Sequence, residues 1–467
     1  MASTRAGLRT EGGLYEAIAR GNKDTFFFDQ DPKKAINAFE NRYERIPPNL
    51  EELRRIPPLN GAEFGRSCEF EFETAGDIFL RPTVLIDLPS WYPAAQAALN
   101  PEMLYREQAT GHAYGYTNGV GYFLFKKIQI FQDKLLLQEL TGDSLFALRA
   151  SRGSLNSAYM ENTLAGFHSG TAASIAANAT PSRIRLELPF VGGRNGFPSI
   201  AMRKQTFKLR LELRPLEQLI ESSDPAATTA PQPWGATFVH GTQTFTALQR
   251  TQMASPTLQL ETRHSYVDGE TQLALRSTPL ELPYIRPYEN SYVISPAEYA
   301  PIVKGVAAYI TRRVDAQHPA SRLLWYSRSQ NDLRTNRRWK FTNDVSGNEY
   351  YTAQSLIIAS RDRETSFAPY IWNLLTHHAK EDRDPGYGIG EMSWDLGDIR
   401  GRRAPWDRQP EGTINFTTAD RPTIYTSLST APNDTILGAP STEMTVVVDT
   451  WGIYSIEADR GVLKYGN

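Results

Sequence analysis

The stretch that decides the fold is Arg408-Gln409-Pro410-Glu411-Gly412-Thr413-Ile414-Asn415-Phe416-Thr417-Thr418-Ala419-Asp420-Arg421-Pro422-Thr423-Ile424-Tyr425-Thr426-Ser427-Leu428. Pro410, Glu411 and Gly412 form a turn signal that leads into a short strand with apolar and polar residues in alternation. Asp420, Arg421 and Pro422 form a second turn signal, and another strand follows. Taken alone, this is a hairpin or corner in an all-β domain.

The same period of two recurs on both sides of it. Cys68, Phe70 and Phe72 alternate with Glu69, Glu71 and Glu73, as a half-buried strand requires. Ile184–Phe190, Phe207–Leu213 and Thr257–Glu270 alternate in the same way, the last ending in a turn signal. Leu140–Arg152 instead favours a short helix, with Thr141 or Asp143 as N-cap, and Gln272–Arg276 also reads as helical. The 30 Pro and 33 Gly are spread along all 467 residues, which suits many short strands joined by turns and long loops. That length allows two to three domains.

Composition narrows the function. The net charge of −2 gives no overall basic excess for wrapping nucleic acid. Cys68 is the one cysteine, so neither an intrachain disulfide nor a thiolate metal cluster is available, as suits a reducing compartment. Its alternating neighbours make Cys68 a strand residue rather than a catalytic thiol. The N-terminal Met1–Ala6 lacks the apolar core of a signal peptide. No run of about 18 apolar residues is present, so no transmembrane helix is expected.

The order Gln409-Pro410-x-Gly412-x-x-Asn415-Phe416-Thr417-x-x-Asp420, followed by a strand, resembles a segment of the second jelly roll in the major capsid proteins of nucleocytoplasmic large DNA viruses, such as the iridovirus, phycodnavirus and marseillevirus groups. Further markers resemble that family in its own order. They are Gly76-Asp77-Ile78 with Leu85-Ile86-Asp87-Leu88-Pro89, then Tyr116-Thr117-x-x-Val120-Gly121 before a strand with Lys126-x-Ile128. Next come Leu188-Pro189-Phe190, Gly196-Phe197-Pro198-Ser199-Ile200 and Phe207–Leu213. Tyr266-x-Asp268-x-Glu270 and His318-Pro319 with Leu323-x-Trp325 complete the series. Phe131-Gln132-Asp133-Lys134 stands where the family has a Gly-Gly turn, a departure that keeps the strand–turn–strand pattern. The likeness spans about residues 64–467.

The resemblance implies an all-β fold of two consecutive eight-stranded antiparallel jelly rolls (a double jelly roll) with long loops and a few short helices. Residues 1–60 form an N-terminal arm or base segment, 61–218 the first roll, 219–240 a linker and 241–467 the second roll. It implies a structural major capsid protein rather than an enzyme. Homotrimers would form pseudo-hexameric capsomers that tile the icosahedral shell of a large DNA virus. The expected partners are the chain itself and neighbouring capsomers, minor capsid proteins, and the internal membrane through the N-terminal segment, whose Phe26–Phe28 cluster is apolar. No specific nucleic acid is expected. The expected location is the virion, with synthesis and assembly in the host cytoplasm. A related double jelly-roll scaffold, or a minor or penton capsid component, is the alternative; a β-sandwich enzyme or lectin is a third class.

No catalytic, cofactor-binding or metal-binding residues are expected. Gly386-Tyr387-Gly388-Ile389-Gly390 lacks the strand-to-helix context of a phosphate cradle and reads as a surface loop. His377 and His378 are adjacent and so diverge in any regular element; with Glu381 they read as a polar helix end or loop. Arg334–Arg338, followed by Trp339, and Arg400–Arg403 are basic runs. They suit a nucleic-acid or phospholipid surface, or salt-bridged intersubunit contacts. Asn178, Asn415 and Asn433 lie in N-x-[Ser/Thr] sequons.

Overall fold

A computed structural model describes residues 49–72, 76–94, 104–150, 163–179, 184–192, 196–202, 206–343, 349–375, 388–394, 412–432, 441–457 and 460–464. The chain is built of two successive pairs of antiparallel sheets. In the first pair, one sheet runs in the order Asn49–Ile56, Thr257–Val267, Thr83–Asp87, Ile184–Glu187, with Ile78–Phe79 also on Thr257–Val267. The facing sheet runs Ser67–Phe72, Phe207–Leu213, Phe125–Gln132, Leu135–Leu140.

The alternation read from sequence sets the inward faces. Cys68, Phe70 and Phe72 are buried while Glu71 is exposed. Phe72 stacks on Phe79 of the other sheet at 5.3 Å, and Phe190 meets Phe207 edge-on at 5.3 Å. Full burial of each such ring stabilises the fold by roughly 1.5–3 kcal/mol. The thiol of Cys68, pushed up to about 12 by burial and then by Glu69, is a core group.

In the second pair, the sixteen-residue strand Thr442–Glu457 is the spine. Its first half lies between Tyr288–Ile294 and Pro319–Ser329, and its second half between Leu280–Ile285 and Arg460–Lys464. Gly390–Ser393 and Ile414–Asn415 extend this sheet from Pro319–Ser329. The facing sheet runs Tyr309–Arg313, Thr423–Leu428, Tyr351–Ile358, Arg361–Phe367. Trp325 meets Tyr351 and Trp372 between the layers, each at 5.9 Å.

The deciding stretch is a corner. Ile414–Asn415 pairs with Pro319–Ala320 in one sheet, and Thr423–Leu428 lies in the other. Between them Phe416 drops into the core and Arg421 turns the chain at φ 47°. Residues 408–411 lie outside the described residues.

Thr257–Val267, read from sequence as the opening of the second roll, hydrogen-bonds to Thr83–Asp87 and Asn49–Ile56. Pairing therefore carries the first pair of sheets to Val267. The stretch 219–240, read as a linker, contributes Ile220–Ser222 and Thr237–His240 to two small sheets. Phe238 stacks on Phe245 at 5.7 Å, and both pack edge-on against Tyr92.

Candidate functional site: the junction between the rolls

Among the described residues, buried charged groups concentrate where the two pairs of sheets meet. The helix Gly142–Ala150 occupies that place and is buried along its whole length. Thr141 is its cap, its Oγ1 accepting from the Ser144 N–H at 3.0 Å. A Cβ on Gly142 would lie 2.0 Å from the Tyr122 carbonyl oxygen, so the first turn fits only with glycine there.

Asp143, the other cap candidate, faces the junction instead. Its Oδ2 accepts from Arg214 at 2.8 Å and its Oδ1 from Arg328 of the second roll at 3.1 Å. Arg328 also donates to Glu443 at 3.1 Å, and its guanidinium lies over the rings of Tyr326 and Phe341. Burial pushes the Asp143 carboxyl up. Arg328 and Arg214, with Arg338 behind them, outweigh that and hold it well below the usual carboxylate range. Burial, then Arg214, draws Arg338 down to about 10, still charged near neutrality.

The far end of the helix is held by another arginine. Arg322, fully buried, donates to Asp449 at 2.9 Å, to Glu391 at 3.5 Å and to the Leu148 carbonyl at 3.1 Å. A cation at the carbonyl end and a carboxylate at the amide end both suit the helix dipole. Arg214, Arg322 and Arg328 are thus paired with Asp143, Glu391, Glu443 and Asp449, with Arg338 and Glu289 close by. Removing one partner of such a buried pair strands an uncompensated ion.

A second group of contacts lies beside this one. Asn336, at φ 64°, donates from Nδ2 to the carbonyls of Glu217 and Ile220, both at 2.7 Å, and its own carbonyl accepts from Thr117 at 2.7 Å. The Trp339 indole donates to Glu221 at 3.0 Å. His168 Nδ1 accepts from the Gly170 N–H at 3.1 Å, so the ring proton belongs on Nε2, which lies 2.9 Å from Glu221. Farther along, Tyr454 donates to Gln132 at 2.6 Å, and Gln138 donates to the Ile285 carbonyl at 2.7 Å. The core of the first pair of sheets continues across this junction to Leu324, Tyr326, Val447 and Tyr454 of the second, whose own interior, around Leu323, Trp325 and Val446, is a separate cluster.

The basic run Arg334–Arg338 is part of the junction and not an exposed strip for nucleic acid or lipid. Arg337 donates to the carbonyls of Asp224 and Pro225, Arg338 is half-buried, and Arg334 donates to the Gln330 carbonyl. In the glycine-rich segment, Gly388 packs against the Phe341 carbonyl and Gly390 against the Trp325 ring, where a Cβ would lie 2.3 Å away. These two glycines serve close packing. Gly386, Tyr387, His377, His378, Glu381, Arg400–Arg403, Asn433 and Phe26–Phe28 lie outside the described residues. Of the sequons, Asn415 is exposed, whereas Asn178 donates from Nδ2 to the Tyr116 carbonyl at 2.9 Å. Among the described residues no group of three or more His, Cys, Asp or Glu side chains is placed to hold a metal ion, and no helix is long and apolar enough to cross a membrane.

Sequence reading missed the junction. Asp143, Arg214, Arg322 and Arg328 sit in unrelated stretches. The one available signal was arginine at strand positions flanked by apolar residues, as in Arg322-Leu323-Leu324-Trp325-Tyr326-Ser327-Arg328.

With this geometry, the chain is similar to several solved viral structures. PBCV-1 VP54, as a crystal structure fitted into a cryo-EM reconstruction of the virophage Sputnik, superimposes with a TM-score of 0.67 at 14% identity, covering 92% of this chain and 100% of that one. A quasi-atomic model of the PBCV-1 virus capsid gives 0.64 at 14% identity with the same coverage. The Faustovirus major capsid protein gives 0.62 at 11% identity, covering 90% of this chain and 93% of that one. No family model and no curated protein matches the chain. The fold is a double jelly roll of the kind found in viral capsid proteins.

Proposed function

We propose that this chain is a structural capsid protein of a large DNA virus and has no catalytic role. The observation that carries the reading is the extent of the likeness. The match takes in 92% of this chain and the whole length of a viral double jelly roll, at a TM-score of 0.67. A shell subunit must keep its two barrels in one relative orientation under lateral load, and the buried charges around the helix Gly142–Ala150 supply that rigidity.

In this reading three copies form a capsomer with a six-lobed outline, since each chain contributes two barrels, and the capsomers tile an icosahedral shell. The N-terminal segment, read from sequence as residues 1–60, contacts minor capsid proteins or an internal membrane at the capsomer base. Immunogold labelling of purified particles tests the location, with label expected on the shell. Deletion of residues 1–28 tests the arm: shells should then fail to close or lose their minor proteins, and unchanged assembly would remove that assignment.

A further inference from the structure

The strand Asn49–Ile56 is the end strand of its sheet. All eight residues pair on one side with Thr257–Val267, from Asn49 opposite Val267 to Ile56 opposite Leu260. No other strand among the described residues pairs with its second edge. That edge carries two exposed leucines, Leu50 at 69% and Leu53 at 49%. An open edge with exposed apolar side chains is a template for another strand. The charges beside the leucines select which strand.

The sequence is Leu50-Glu51-Glu52-Leu53-Arg54-Arg55-Ile56. An identical strand laid antiparallel along the open edge, with Leu53 on the two-fold axis, places Leu50 opposite Ile56, Glu51 opposite Arg55, Glu52 opposite Arg54 and Leu53 opposite itself. Every apolar residue then meets an apolar one and every glutamate meets an arginine. Directly opposed residues in an antiparallel pair share a face of the sheet, so all these partners are in reach. Slipping the register by two residues either way sets Glu52 against Glu52 or Arg54 against Arg54, like charges in direct opposition. The pattern is complementary to itself in this one register.

We propose that the edge strand Asn49–Ile56 binds the same strand of a second copy of this chain across a two-fold axis, joining two sheets into one. The contact is isologous and closes on itself. It differs from any three-fold contact within a capsomer, and where capsomers exist it joins chains of different ones. In the single chain Arg54 already donates to Glu52 at 2.9 and 3.0 Å, and Tyr266 donates to Glu52 at 2.6 Å. In the pair these charges meet their counterparts to form a closed ring of two carboxylates and two guanidinium groups.

The test is made on the full chain. Leu53→Cys puts a thiol on the axis, where opposed Cα atoms are about 4.5–5.5 Å apart, within disulfide range. The native thiol, Cys68, is buried and does not compete. Mild oxidation should convert L53C to a covalent dimer at least tenfold faster than Leu59→Cys, a control at another exposed leucine. Equal rates would overturn the proposal. Charge reversal gives an independent reading by sedimentation velocity. E51R/E52R and R54E/R55E should each lose the two-fold association, an equimolar mixture of the two should regain it, and the fourfold reversal should associate as the natural chain does. Association unaffected by either reversal, or a mixture that does not recover, would also overturn it. Circular dichroism confirms that each variant is folded. Trimer mass is read in the same runs, so loss of the capsomer and loss of this contact are separate results.

Discussion

Arg328, on a central strand of the second roll, donates to the Asp143 carboxylate on the first roll's buried helix at 3.1 Å. The other oxygen of that carboxylate is already held by Arg214 at 2.8 Å. One aspartate thus joins the two barrels, and its loss leaves two buried guanidinium groups short of a counter-charge. Asp143→Asn should cost about 3–5 kcal/mol, read as a lower denaturant midpoint.

The same pair gives a pH dependence. The Asp143 carboxyl titrates lower in the folded chain than in the unfolded one, where it lies near 3.9. Its stabilisation is therefore complete above about pH 5 and is lost as pH falls through 4 towards the folded value. A plot of melting temperature against pH should have a steeper acid flank for the natural chain than for D143N. Parallel flanks would show that Asp143 carries no linkage.

Asn336→Ala removes two buried hydrogen bonds to the carbonyls of Glu217 and Ile220 and places alanine at φ 64°. A loss of about 2 kcal/mol or more is expected. Asn336→Gly loses the same hydrogen bonds without the backbone strain and should be the less damaged by about 1 kcal/mol. Equilibrium unfolding of the two variants separates these contributions.

At the terminal hairpin, the Tyr454 hydroxyl lies where a Cβ on Gly461 would be, 1.7 Å away, and it donates to Gln132. Tyr454→Phe should cost about 1 kcal/mol. Gly461→Ala should cost clearly more, because the ring must move out of a filled core. A smaller combined cost than the sum of the two is the expected sign that they share one site, and a double-mutant cycle measures it.

Cys68 is buried and its thiol is pushed up to about 12. In the native chain it should resist a thiol reagent at pH 8, and the reaction should proceed at the rate of unfolding. Rapid labelling under native conditions would contradict the core placement.

The parts of the fold that follow from local pattern were legible in the sequence. The alternation of Cys68, Phe70 and Phe72 and that of Phe207–Leu213 marked strands that face the core, and Thr141 was one of two cap candidates. The pairing of distant strands was not. Thr257–Val267 has the right alternation, but nothing in it says that its partners are Thr83–Asp87 and Asn49–Ile56. The corner at Ile414–Leu428 and a hairpin give the same turn signals, because the two differ only in which sheet receives the second strand. The junction was least legible. A buried arginine in a strand is indistinguishable from a solvated one until its carboxylate, here on a helix far away in sequence, is brought beside it. The run Arg334–Arg338 was open to a surface reading for the same reason.

The most direct test of the central claim is the native mass of the full chain in solution, with negative-stain imaging of the same peak. The account predicts a trimer of about 158 kDa, three times the 52.5 kDa chain, with a hexagonal outline. A particle that stays at the mass of one chain at every concentration, with no six-lobed outline, would contradict it.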